Sequence, residues 1–510
     1  MLKSVASFVA ALLIMAASSF QAFAAETRSV IILHTNDIHG KVFPELDRKD
    51  GIWKGGLASV ASLADGIRRE NPGAVILVDA GDMFQGTPVS NIFKGDPVTD
   101  FMNHAGYECS VIGNHEFDFG IDGFEREAAR RKFPMLCANI REKKTGKIPP
   151  FAKKSIVVER NGIKIGLIGV TVPFGRRSGS KSPMKDFYFE DPLKCIEECR
   201  DELRSDGIKT VGVISHNGYE KDLEFASKLS GIDFIIGGHS HTYVDTPAEA
   251  GGIPVFQAGE HGKALGFIRL EIDPDSGKAL SYEGRLIPVP GYDMALQKTI
   301  ESYEDRVKEA MREEIGLSND DIPRKRISEK SGTLVIGDFI SDIIRKSADA
   351  DVCFINTSSF KNGLSRGVIR KEDIFYAIPY DNRVIAYNVK GSSLRKIIEY
   401  YIDRKTFTQV SGISCSYDSS RPEGRRVYDI SINGDRLDDD RIYRISSMDF
   451  LFNVSDDCPE IKNAKGFEYC DCGFMRDEAE KYIRSLKSVS APSGIRINVV
   501  GSDPDSRNGH

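Results

Sequence analysis

Five short apolar runs in the first half of the chain end the same way, in Asp, His or Asn set beside glycine. Val30 to Thr35 leads into Asn36-Asp37-Ile38-His39-Gly40, and Ala74 to Val78 into Asp79-Ala80-Gly81-Asp82. Ser110 to Ile112 leads into Gly113-Asn114-His115-Glu116-Phe117-Asp118. Thr210 to Ile214 leads into Ser215-His216-Asn217-Gly218, and Phe234 to Ile236 into Gly237-Gly238-His239-Ser240-His241. Runs of this length, bounded by glycine and rich in β-branched residues, predict buried strands. Ile163 to Val170 predicts one more.

Helical patterns lie between the strands, among them Leu57 to Glu70 and Pro192 to Ser205. Strands alternating with helices predict a layered α/β domain, placed at 26–290. With 510 residues the chain exceeds one compact core, so two or three domains are expected. From Tyr292 to Gly316, Leu296, Ile300, Tyr303, Val307 and Met311 recur at three- and four-residue steps. That spacing predicts an amphipathic helix with Gly316 as its stop, a linker over 291–325. A second, smaller α/β domain is expected at 326–500. It has helices over Gly332 to Lys346 and Ser392 to Tyr401, and a strand over Val384 to Val389. The polar tail 501–510 is expected to be disordered.

Lys3, then an apolar run from Val9 to Ala17, then Ala22-Phe23-Ala24, reads as a signal peptide over 1–25. The run is shorter than the ~20 residues of a membrane span, so no stable membrane anchor is expected. The formal net charge of -6 gives no basic footprint for a nucleic acid polymer. Nine cysteines suit an oxidising compartment, but the odd count leaves at least one unpaired. Connectivity and oligomeric state stay open.

In open α/β sheets ligands bind outside the carboxyl ends of strands. Five of the nine histidines, His39, His115, His216, His239 and His241, fall in the strand-end segments. A single histidine there would be an ordinary packed or surface residue. Five, joined by Asp37, Asp82 and Asn114, point to a metal site instead. Residues two apart in extended chain face the same way, so Asp37/His39 and His239/His241 are each expected to grip one point. The donors suffice for two divalent ions, with Asp82 able to bridge. Oxygen and imidazole donors suit Mn, Zn, Fe, Co or Ni, and no thiolate is implicated.

These segments, taken in order, resemble the calcineurin-like metallophosphoesterases. More narrowly they resemble the two-domain 5'-nucleotidase family, which includes bacterial periplasmic UDP-sugar hydrolases. The resemblance implies an α/β sandwich with a smaller α/β substrate-binding domain. It implies one ion held by Asp37, His39, Asp82 and His241, and another by Asp82, Asn114, His216 and His239. It implies His115 and Asp118 as the catalytic dyad. In the second domain Asn356-Thr357-Ser358-Ser359-Phe360-Lys361 matches a family pattern with two glycines and an arginine. Here both glycines are serine and the arginine is Lys361. Phe407 and Phe450 match the two aromatics that sandwich a nucleobase, and Asp456 the residue that bonds the ribose. The implied activity is hydrolysis of nucleoside 5'-monophosphates in the bacterial periplasm. The alternatives are a 2',3'-cyclic nucleotide phosphodiesterase, a UDP-sugar hydrolase, or a non-catalytic metal-stabilised binding protein.

Overall fold

The structure, a computed structural model, describes residues 27–47, 51–173, 184, 186–291, 297–380, 382–403, 408–453, 455 and 458–500. The segments expected as signal peptide and tail, and with them Phe407 and Asp456, lie outside the described residues. The chain divides into two compact units. The first runs through Pro173 and again from Phe189 to Gln297; the second comprises Phe174–Tyr188 and the chain from Lys298.

The first unit is built on two sheets. The strand Arg28–Thr35 stands inside a seven-stranded sheet. On one side follow Val75–Asp79, Cys109–Val111, Met135–Leu136 and Ala152–Lys153, all parallel. On the other side Ala264–Ile272 and Ala279–Pro288 run antiparallel. The second sheet has six strands. Its parallel centre is Ile163–Thr171, Thr210–His216, Phe234–Gly237 and Ile253–Phe256. Side-chain alternation explains how the layers stack. Ile165, Leu167, Ile214, Phe234 and Ile236 pack inward against Val30, Ile32, Ile76, Val78 and Val111 of the first sheet. Ile168, Val170, Val211, Val213 and Ile235 point the other way, onto Ile196, Leu203 and Phe225 of the covering helices. Parallel strands buried on both faces are why these runs read as continuously apolar.

The helices form where expected, at Leu57–Glu70 and Pro192–Ser205. Asp191 caps the second by accepting from the Leu193 N–H, and Pro192 fits the first turn. Cys195, Ile196, Cys199 and Leu203 form its buried stripe. Both thiols are free, as are Cys109, Cys137, Cys353, Cys415, Cys458 and Cys470, and all are buried.

The second unit centres on a five-stranded sheet. Its order is Gln409–Ser411, Val352–Ile355, Ile442–Met448, Arg383–Lys390, Lys465–Phe474. The helices Val335–Ser347 and Gly391–Asp403 pack into the same core. The expected linker helix is described over Gln297–Met311 and ends short of Gly316; the start of its pattern, 292–296, lies outside the described residues. Gly316 does not stop it; that residue lies within the strand Glu314–Ser318. A Cβ there would come within 2.7 Å of Ile483 Cγ2, so close packing, not helix termination, accounts for the glycine. Among the described residues no helix is long and apolar enough to cross a membrane.

Candidate active site

Strand ends of both sheets supply the site, and the turns that do so are unusual. Asp37, His39, Asp82, His239 and His241 all have φ between +48° and +76°. Non-glycine residues rarely adopt this left-handed conformation, and it concentrates where a side chain must be aimed. The extended geometry expected for the two residue pairs is therefore not what forms. Asp37 and His39 do meet, but through left-handed turns. His239 and His241 separate, one to each of two clusters. Glycines leave room for this. A Cβ on Gly113 would overlap Asp82 Oδ1, and one on Gly238 would sit 2.6 Å from the Ala80 carbonyl.

Asp37, His39 and His241 form one cluster; Asp82, His216 and His239 form the other. Within each, the ligating atoms lie within 4.8 Å of one another. In the first, His39 Nε2 lies 3.2 Å from His241 Nε2, and His241 Nε2 lies 3.4 Å from Asp37 Oδ1. In the second, His216 Nε2 lies 3.1 Å from Asp82 Oδ2 and 3.2 Å from Asn114 Oδ1. Asp82 Oδ2 is also 3.9 Å from His39 Nε2, so this carboxylate reaches both clusters.

The other ring nitrogens decide what the clusters can hold. His39 Nδ1 is 3.0 Å from the Gln85 carbonyl, and His216 Nδ1 is 2.7 Å from the Ala80 carbonyl. His241 Nδ1 is 2.8 Å from Glu260 Oε2. Each of these oxygens can only accept, so in the neutral ring each Nδ1 carries the proton and each Nε2 presents a lone pair. Lone pairs of His39, His241 and Asp37 then converge on one point. Those of His216, Asp82 and Asn114 converge on another. Acceptors facing acceptors in a buried site repel unless positive charge lies between them. Protons are the alternative to cations. Hydrogen bonds to Asp37 and Glu260 push His241 up to about 10 when no cation is bound. Burial alone would lower His216, but Asp82 takes it up to about 9. Burial opposes the charge on Asp82, yet His216 and His115 hold its carboxyl well below the usual range. The donor set thus fits divalent ions of the imidazole- and oxygen-binding kind.

His115 stands beside the first cluster, its ring centroid 5.3 Å from that of His39. Its Nδ1 is 2.6 Å from Asp118 Oδ2, which leaves Nε2 as the ring's other polar atom. Burial works against charge on this ring, but Asp118 and Asp82 push it up to about 10.

Two carboxylates that hold the site together carried no role in the sequence reading. Glu116 accepts backbone N–H bonds from Met83 at 2.7 Å, Asp82 at 3.1 Å and Gly113 at 2.5 Å. It ties two of the strand-end loops together. Glu260 follows the strand Ile253–Phe256. That strand's carboxyl end belongs to the same sheet, and the strand-end rule applied there would have found it. Backbone contributions were equally silent: Gln85, given no role, supplies the carbonyl that orients His39.

Of the residues expected to bind substrate, Lys361 and Phe450 are described, both in the second unit. Lys361 Nζ sits 5.5 Å over the Tyr380 ring, and Phe450 is half exposed. Serine in place of glycine costs nothing visible in the turn before Lys361. Ser359 Oγ donates to Asn356 Oδ1 at 2.6 Å, and Asn356 Nδ2 donates to Ser358 Oγ at 2.6 Å. Thr357–Ser359 makes a short 3-10 turn.

Comparison with known proteins supports the same reading. The calcineurin-like phosphoesterase family matches residues 30–243, and the 5'-nucleotidase C-terminal domain family matches residues 313–462. The chain is 28% identical over 502 residues to a 5'-nucleotidase of Homo sapiens, covering 86% of each chain. It is 27% identical over 498 residues to the 5'-nucleotidase of Mus musculus, covering 86% of this chain and 85% of that one. A 5'-nucleotidase precursor of Thermus thermophilus superposes with a TM-score of 0.61 at 25% identity, over 93% of this chain and 100% of the other. Two matched domains in this order and a pair of clusters built from Asp and His leave one conclusion: the chain belongs to the two-domain 5'-nucleotidase family of calcineurin-like metallophosphoesterases, and it is a metal-dependent phosphoesterase.

Proposed function

We propose that this phosphoesterase hydrolyses nucleoside 5'-monophosphates to nucleoside and phosphate. Asp37, His39, Asp82 and His241 hold one divalent ion, and Asp82, Asn114, His216 and His239 hold the other. The observation that carries the reading is the convergence of acceptor atoms on two points that share Asp82, beside the His115–Asp118 pair.

Such ions, once bound, lower the pKa of a coordinated water and polarise phosphoryl oxygens. The rest falls to the protein. Asp82 reaches both clusters and so sets their spacing. Asp118 accepts a hydrogen bond from His115 Nδ1, fixes the ring, and supports positive charge on it. His115 Nε2 then donates to a phosphoryl oxygen as charge builds there, which favours the transition state over the ground state.

Recognition of the leaving group falls to the second domain. Phe407 and Phe450 stack on the base, Asp456 bonds the ribose, and Lys361 meets the phosphate. The family resemblance of these positions and the names of the relatives support that assignment. Lys361 supplies charge without the two-pronged geometry of arginine, and it lies over Tyr380. That departure favours a second reading, in which the preferred ester is a UDP-sugar or a 2',3'-cyclic nucleotide. AMP, UDP-glucose, a 2',3'-cyclic nucleotide and an aryl phosphate, given to enzyme reconstituted with Mn, Zn, Fe, Co or Ni, separate the two. Fastest turnover of AMP supports the first reading. A higher kcat/KM for UDP-glucose or the cyclic nucleotide moves the assignment to the second, and no metal-dependent turnover defeats both.

The pattern of residues 1–25 supports export to the bacterial periplasm. Mass spectrometry of the mature N-terminus from fractionated cells tests this. A chain retaining Met1 in the cytoplasm would refute it.

A further inference from the structure

We infer that Glu260 is a positioning residue for one of the two ions only. The inference rests on the reading that His241 is a ligand. Different groups stand behind three of the four imidazoles. The Nδ1 atoms of His39 and His216 face neutral backbone carbonyls, at 3.0 and 2.7 Å. That of His241 faces the carboxylate of Glu260 at 2.8 Å. A charged acceptor makes the stronger bond. It fixes the tautomer and ring plane, and it raises the basicity of the opposite nitrogen, here the one 3.4 Å from Asp37 Oδ1.

Glu260 is itself held. Lys263 Nζ lies 4.0 Å from its Oε1, and Lys263 is fixed in turn by Glu45 at 2.9 Å. His261 Nδ1 lies 3.8 Å from the same Oε1. One carboxylate oxygen therefore bonds His241, while the other lies near Lys263 and His261 without a hydrogen bond to either. Backbone ties reinforce the placement, because the His261 N–H donates to the Asp37 carbonyl at 2.8 Å. The loop that carries Glu260 is thus joined to the loop that carries Asp37, in the first cluster and not the second. Each cluster has one Asp and two His, and the second adds the neutral Asn114; among the described residues only the first has a further carboxylate behind a ligand. Glu260 thus strengthens the site built from Asp37, His39 and His241 and not the other.

The test is Zn2+ binding measured against a competing chelating indicator, with stoichiometry by elemental analysis. The proteins are wild type, Glu260→Gln, Glu260→Ala and His241→Ala. Gln keeps an oxygen for Nδ1–H but removes the charge, so it separates orientation from electrostatics. In Glu260→Ala, one equivalent of Zn2+ is expected to bind roughly 10- to 100-fold more weakly while the other keeps its wild-type affinity. Glu260→Gln should fall between. Wild-type affinity for both equivalents in both Glu260 variants, with one equivalent lost in His241→Ala, would overturn the inference and leave the metal site intact. Equal weakening of both equivalents would also overturn it, since Glu260 would then act on the fold as a whole. Two equivalents retained in His241→Ala would defeat the ligand assignment itself.

Discussion

At the scale of single residues, the site depends on side chains whose two ends do different things. His115 has one nitrogen committed to Asp118 and the other proposed to meet the phosphoryl group, whereas His39, His216 and His241 present both nitrogens to fixed partners. His115→Asn should therefore leave the clusters and the metal content unchanged. Losing one preorganised donor to a developing charge costs about 10²–10³ in kcat. We expect that loss with two metal equivalents retained. Wild-type kcat on the preferred ester would remove His115 from the chemistry. Asp338 in the second unit shows the reverse situation, a buried carboxylate with too few partners. Its Oδ1 has no hydrogen-bond partner. Burial pushes the group up from 3.8 to about 7, with Arg496 only partly offsetting it. Below pH 3.8 both the folded and the unfolded chain hold the proton, and the group is neutral to stability. Between pH 3.8 and about 7 the unfolded chain ionises first, so the fold loses stability as pH rises. Asp338→Asn removes that penalty. The variant should melt higher than wild type at about pH 8, with the difference shrinking by about pH 4. An equal or lower melting temperature at the higher pH would show that the Arg496 pairing outweighs the burial.

At the scale of elements, the legible parts are those whose pattern is local. The helices Leu57–Glu70 and Pro192–Ser205 end where their apolar spacing ends. The buried parallel strands agree with their apolar runs to within two residues, as at Phe234–Gly237 and Thr210–His216. The cluster residues were legible because strand ends concentrate Asp and His in a parallel sheet. What stayed hidden depends on contacts across the sequence. The left-handed turns at Asp37 and His241 cannot be read from residues that usually avoid them. Nor can the split of His239 from His241, since it depends on which neighbouring loop each meets. Glu116 was visible in its motif, but its three amide partners lie partly on another loop. Gly316 shows the same limit in the second unit. Its position after an amphipathic run looks like a stop signal, yet its reason is a helix far along the chain, Met475–Leu486. Gly316→Ala tests this. A Cβ would meet Ile483 Cγ2 at 2.7 Å and the Lys487 carbonyl at 3.1 Å. Overpacking of this kind costs about 1–3 kcal/mol, read as a lower denaturation midpoint with an unchanged slope. A midpoint at or above wild type would show that close packing against Ile483 does not account for the glycine.

At the scale of the whole molecule, the two units differ in what holds them. The second has one large apolar core that runs from Ile315 to Val499. The first has its own apolar layers, but it also gathers Asp37, Asp82 and Glu116 at one edge, all essentially buried. Bound cations relieve the repulsion there, so their binding free energy adds to the stability of the first unit alone. At an ion concentration about a hundredfold above Kd the contribution is about 2.7 kcal/mol. For a unit of this size that corresponds to a shift of roughly 5–10 °C. The chain carries its own reporter, because its one tryptophan, Trp53, lies in the first unit. Removing metal with EDTA should lower the Trp53 fluorescence transition by that amount. A calorimetric transition belonging to the second unit should stay where it was, and Asp338→Asn should move that second transition and not the first. If EDTA shifts both transitions together, the ions stabilise more than the sheet edge that holds their ligands. If it shifts neither, the acceptor atoms at that edge are neutralised by protons, and the two-ion reading of the site fails with them.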